Sequence, residues 1–174
     1  MKKCVTLALV IMLVAIVAVL LPGCGADAKP DAKQYMQQGD KLTRQFKEAA
    51  NTWLKNIKPA LGSPSGMEKF RASASDMSKA AEEAKAVYEK IGSLKGVEDY
   101  AKYADLEIQR LDIFQEFITL TNTYFDQAVA MMDSGDVTNL QSLNDKYTED
   151  AGKLGEKIDG MDQEAQKLKA DKNL

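Results

Sequence analysis

The 174-residue sequence predicts an all-α protein, an antiparallel up-down-up-down four-helix bundle over residues 31–174. Three observations predict it. Apolar residues recur at steps of three and four along four successive stretches, the spacing of one helical face. Clusters rich in Gly, Pro, Ser and Asp punctuate the chain at 62–66, 92–96 and 133–136, and such short links join antiparallel neighbours. No stretch alternates with the period of two that marks a half-buried strand. Nor does any repeat of roughly 20–50 residues point to a solenoid.

In the first helix, Asp31 follows Pro30 with Gln34 three residues on, the arrangement of a capping box. Tyr35, Leu42, Phe46, Ala49, Trp53 and Ile57 then supply an apolar stripe, on which Trp53 reads as core. Gly39 falls on this stripe and should weaken its turn by roughly 1 kcal/mol relative to Ala. Pro59 and Gly62 end the helix. Ser65 and Glu68 form a second capping box, and the second helix has the cleanest period: Met67, Phe70, Ala74, Met77, Ala81, Ala84, Tyr88, Ile91. Strict alternation of three and four is a heptad seam, and its alanines let neighbouring helices come close. Gly92 is placed to close that helix in the left-handed conformation.

The third helix starts near Val97, with Glu98 and Asp99 favourable against its dipole. It runs to about Ser134, roughly 55 Å at the helical rise. Its stripe is Ala104, Ile108, Leu111, Phe114, Ile118, Phe125, Val129 and Met132, widened by Ile113, Phe117, Leu120 and Tyr124. Either this helix is buried on two sides, or Phe114, Phe117, Leu120 and Tyr124 face a partner or an apolar ligand. Gly135 closes it and Asp136 caps the fourth helix, whose stripe continues from Val137 through Leu168. Gly152, Gly155 and Gly160 lower its propensity, so it must lean on tertiary contacts. The third and fourth helices are the longest, and their hairpin is expected to project beyond the first pair.

The chain opens differently. Lys2 and Lys3 precede an uncharged, almost wholly apolar run over 4–21 that ends in Leu21-Pro22-Gly23-Cys24. A charged start, an apolar core and a small residue before the cut describe a secretory signal. Residues 1–24 resemble the signal peptide and lipobox of bacterial lipoproteins, although Pro22 stands where that pattern more often has Ala, Ser or Thr. The resemblance implies cleavage between Gly23 and Cys24 and lipidation, palmitate included, of Cys24. It divides the chain into a signal peptide (1–23), a lipidated cysteine with a short tether (24–30) and the helical domain (31–174). It also implies a lipid-anchored protein on the extracytoplasmic side of a cell membrane or outer membrane, and Gly25 after the cysteine is compatible with export to the outer one. Two other outcomes stay open on the residues alone: a secretory signal without lipid, and an uncleaved anchor, since the apolar run approaches the ~20 residues that span a bilayer.

Composition excludes more than it includes. Lys2 and Lys3 leave with the leader and no acid does, so the net charge of −3 becomes −5 for the remainder. An acidic domain without a basic block is a poor candidate for nucleic acid. Cys4 leaves with the leader and Cys24 is the lipid site, so the domain has no disulfide. Histidine is absent, which removes Ser-His-Asp catalysis, His-ligated zinc and the Glu-x-x-His di-iron sites of four-helix bundles.

The remaining candidates have plainer readings. Met131-Met132 is too little for a copper site. Asp133-Ser134-Gly135-Asp136 lacks the ligand series of a calcium loop and reads as a capped turn. Glu82, Glu83 and Glu116 are carboxylates on long charged helices, with nothing to mark a glycosidase pair. No cofactor, metal or catalytic residue is therefore expected. The expectation is a non-enzymatic interaction or structural module with an envelope protein as partner. The alternative is a carrier of a small apolar ligand, in a cavity lined by Phe114, Ile118 and Tyr88.

Overall fold

The computed structural model describes residues 28–60 and 62–174. The signal peptide, Gly23, Cys24 and most of the tether lie outside the described residues. Four helices follow one another: α1 (Lys29–Ala60), α2 (Pro64–Gly92), α3 (Glu98–Ser134) and α4 (Val137–Lys172). They form an all-α four-helix bundle, with no strand among the described residues. None of these helices is long and apolar enough to cross a membrane.

Side-chain pairs fix the antiparallel order. Trp53 of α1 stacks on Phe70 of α2, and Thr43 lies beside Tyr88 nearer the other end. Arg71 and Lys85 of α2 pair with Asp126 and Asp112 of α3. Tyr124, Arg110 and Asp99 of α3 meet Tyr147, Asp162 and Lys172 of α4. Among the described residues the backbone of α4 comes close to α3 alone.

This register corrects the expected projection of the second hairpin. Beyond the Arg71–Asp126 level α2 runs back over 64–70 and α3 runs on over 127–134, so the two tips are nearly level. Beyond Lys85–Asp112, α2 has only 86–92 left whereas α3 has 98–111. The extra length of α3 lies at the end where α1 begins.

Helix ends differ from expectation where proline and serine compete for the cap. α1 begins at Lys29, so Pro30 and Asp31 sit in its first turn, where a missing N–H costs nothing and a negative charge suits the dipole. Pro59 lies inside the last turn of α1, which ends one residue later at Ala60, before Gly62 as read. Ser63, not Ser65, caps α2: its hydroxyl accepts from the Gly66 N–H at 3.1 Å, with Pro64 as first helical residue. The left-handed residue after α2 is Gly96 (φ 74°), while Gly92 stays helical and Ser93 ends the helix. Gly135 (φ 74°) and the Asp136 cap, which accepts from the Asn139 N–H, form as read.

The second-helix seam is buried as read from Phe70 to Ile91, with Met67 half-buried. The α1 seam is rotated from the expected stripe. Its buried positions include Ala32, Met36, Gly39, Thr43, Phe46, Trp53 and Ala60, while Tyr35, Leu42 and Ala49 are only half-buried. The cause is Tyr88, fully buried and laid against the α1 backbone at Gly39. Toward the α1–α2 turn the core is aromatic: Trp53 against Phe70 (5.5 Å), Phe70 against Phe125 (4.7 Å) and Trp53 against Phe117 (5.9 Å). Each such ring removes ~150–250 Å² from water, a gross gain of about 4–6 kcal/mol before chain entropy opposes it. Met132, expected on the α3 stripe, is 45% exposed at the helix end. Among the described side chains of α4 only Ala165 is buried, because its stripe meets one helix and not two.

Gly39 and Gly152 should therefore respond oppositely to alanine. A Cβ at Gly39 would lie 2.4 Å from the Tyr88 ring, which is buried and cannot swing away. Gly39→Ala is expected to lose about 1–3 kcal/mol to overpacking, more than the gain in helix propensity returns. Gly152→Ala, where a Cβ meets nothing within 4 Å, should gain up to ~1 kcal/mol. Urea unfolding of both variants measures this; equal gains would place Tyr88 away from Gly39.

Candidate functional site

One carboxylate gathers all four helices. Asp40 of α1 accepts from the Tyr88 hydroxyl of α2 at 2.9 Å and the Tyr103 hydroxyl of α3 at 2.8 Å, both on Oδ1. Its Oδ2 accepts from Lys169 of α4 at 2.5 Å. Tyr88 also shares a hydrogen bond with Thr43. Burial, followed by the negative charges of Glu107 and Asp40, pushes both tyrosine hydroxyls well above their ordinary pKa. They therefore serve Asp40 as fixed neutral donors.

Beside this node, Glu107 and Arg110 of α3 are both buried and paired with each other, and Arg110 reaches on to Asp162 of α4. Asp162 also accepts from Gln166. The Arg110 Nε is buried without a hydrogen-bond partner among the described residues. Burial raises the Glu107 pKa, and the charges of Arg110 and Lys47 only partly oppose that. A buried charge is tolerated when paired, and removing one partner of such a pair typically costs about 3–5 kcal/mol.

These groups line a cavity of about 190 Å³ between α1, α3 and α4. Tyr103, Glu107, Arg110, Thr43 and Ala165 are its buried members, and Arg44, Lys47 and Gln166 are its exposed ones. It exists because α4 rests on α3 without closing on α1.

The aromatic residues singled out from the sequence lie elsewhere and do not act together. Phe114 packs edge-on against Phe46 (4.9 Å) and Phe117 against Trp53, both toward α1. Tyr124 turns toward α4, stacked on Tyr147 at 4.4 Å. Leu120 lines an open groove between α3 and α4 with Leu154, Lys153 and Glu116. All four are half-buried. Neither this groove nor the polar cavity is lined by Phe114, Ile118 or Tyr88.

Glu82 is exposed and accepts from Gln115 and Lys85, which hold its pKa below the ordinary value; Glu83 pairs with Lys79. Among the described residues no three His, Cys, Asp or Glu side chains come together as a metal-holding group. Compared with known protein families, curated proteins and solved structures, the chain matches none of them.

Sequence reasoning missed Asp40, Glu107 and Arg110. A signal existed for Glu107, since it falls three residues after Ala104 and four before Leu111, on the strict seam of α3. A charged residue at a seam position must be paired or solvated.

Glu107 should leave a pH signature. The groups facing it are Asp40 and Lys47 on α1, Tyr88 on α2, Tyr103 and Arg110 on α3, and Asp162 on α4. Its folded pKa is raised, so its protonation stabilises the fold fully below the unfolded value of 4.5, and that contribution is lost as pH rises through the folded value. The stability of the wild type relative to Glu107→Gln should fall from pH 4 to pH 7 in urea unfolding. A difference that does not change with pH would contradict the buried position.

Proposed function

We propose that the protein is a lipid-anchored, non-enzymatic interaction or structural module of a bacterial cell envelope. It is held on the extracytoplasmic side of a cell membrane or outer membrane by acyl chains on Cys24. The observation that carries this reading is the leader that ends in Leu21-Pro22-Gly23-Cys24. Several acyl chains on one residue hold a protein stably, where one chain binds marginally.

The start of the fold supports it. α1 begins at Lys29, and the five residues from Cys24 can reach at most ~18 Å. The bundle would then stand with the α1 start, the α2–α3 turn and the α4 end toward the lipid. The α1–α2 and α3–α4 turns would face away. The chain has no histidine, and the carboxylates of the polar cavity are held by tyrosine, lysine and arginine donors. Both favour binding over catalysis. An envelope partner would meet the α3–α4 groove, where Leu120 and Leu154 lie between charged side chains.

Cys24→Ser tests the anchor. The variant is expected either to be released from membranes or to accumulate as an unprocessed precursor, read by fractionation and intact mass. Normal maturation with full membrane retention would overturn the proposal.

A further inference from the structure

The cavity between α1, α3 and α4 has cationic donors at its mouth that no acceptor among the described residues takes up. Three carboxylates line it, and five of their six oxygens already accept a hydrogen bond. Asp40 takes Tyr88, Tyr103 and Lys169; Asp162 takes Arg110 and Gln166; Glu107 takes Arg110 on one oxygen. Donors, by contrast, remain unused. Arg44 and Lys47 line one wall a single turn apart, and neither has an ion-pair or hydrogen-bond partner among the described residues. On α3 the Arg110 Nε is buried and without a hydrogen-bond partner.

Guanidinium and ammonium groups are donors only. In a confined site, donors without acceptors select a ligand rich in oxygen acceptors, and charge-assisted hydrogen bonds are the strong ones. We infer that this cavity is a binding site for a small oxyanion, a carboxylate or phosphate compound of about ten non-hydrogen atoms or fewer. Arg44 and Lys47 hold its charged group at the mouth, with Lys169 on the α4 wall of the same cavity. The size limit follows from the volume of about 190 Å³, since an apolar cavity of ~150 Å³ takes a benzene-sized molecule. This inference does not depend on the lipid anchor.

The test uses the full-length protein in mild detergent, titrated calorimetrically with inorganic phosphate and separately with succinate. Sodium chloride at matched ionic strength serves as control. Saturable one-to-one binding of at least one probe is expected, weakened about tenfold by Arg44→Gln and again by Lys47→Gln. Arg44 is exposed and makes no ion pair or hydrogen bond among the described residues, so Arg44→Gln should keep the wild-type unfolding midpoint. Lys47→Gln removes a charge that acts on Glu107, and its binding is read at a temperature where the variant is fully folded. Binding of phosphate alone identifies a phosphate ligand, binding of succinate alone a carboxylate, and binding of both a general oxyanion site. No saturable binding of either probe, or binding unchanged in the double variant, would overturn the inference.

Discussion

The bundle turns on the carboxylate of Asp40. It is the one side chain described above whose direct partners lie on all three other helices, and α4 depends on it most. The α4 backbone approaches only α3. Its link to the rest of the bundle near its C-terminal end runs through Lys169 to Asp40, while Arg110 and Asp99 hold Asp162 and Lys172 from α3. Ion pairs fix orientation and register more than they add stability. The position of α4 is therefore set by charge as much as by packing.

Along its length the bundle has two kinds of interior. Toward the α1–α2 turn, aromatic rings from α1, α2 and α3 interlock, and Tyr124 with Tyr147 extends the contact to α4. Toward the start of α1 a polar node of Asp40, Tyr88, Tyr103, Glu107 and Arg110 is set beside an apolar core that continues through Met36, Ile91 and Ala104. Each region leaves one buried N–H without a hydrogen-bond partner among the described residues, Trp53 Nε1 in the aromatic one and Arg110 Nε in the polar one. The carboxylates and hydroxyls of the polar node satisfy one another.

If the chain is tethered at Cys24, the polar node lies nearer the membrane and the open α3–α4 groove lies farther out. A small-ligand site and a partner surface would then sit at different heights on one stalk. Neither would require the other, and neither needs histidine, metal or disulfide chemistry.

Four helices, their order and most of their boundaries were determined by the sequence alone, because strict three-four spacing and Gly, Pro and Ser breaks act locally. The α2 seam from Phe70 to Ile91 is legible in this way. So are the Gly135 closure and the Asp136 cap. What only the tertiary structure decided depends on contacts between helices. The α1 seam passes through Gly39 and Thr43 because Tyr88, a residue 45 positions beyond Thr43, needs the missing Cβ and a hydroxyl partner. Ser63 wins the α2 cap because Pro64 fixes the backbone that follows it. Phe114 and Phe117 turn to α1 while Tyr124 turns to α4, a division that hydropathy cannot make for a helix apolar on two sides. The polar node was hidden for the same reason: apart from Glu107 on the α3 seam, its charged residues look solvated within their own helices, and only the meeting of four helices brings them together.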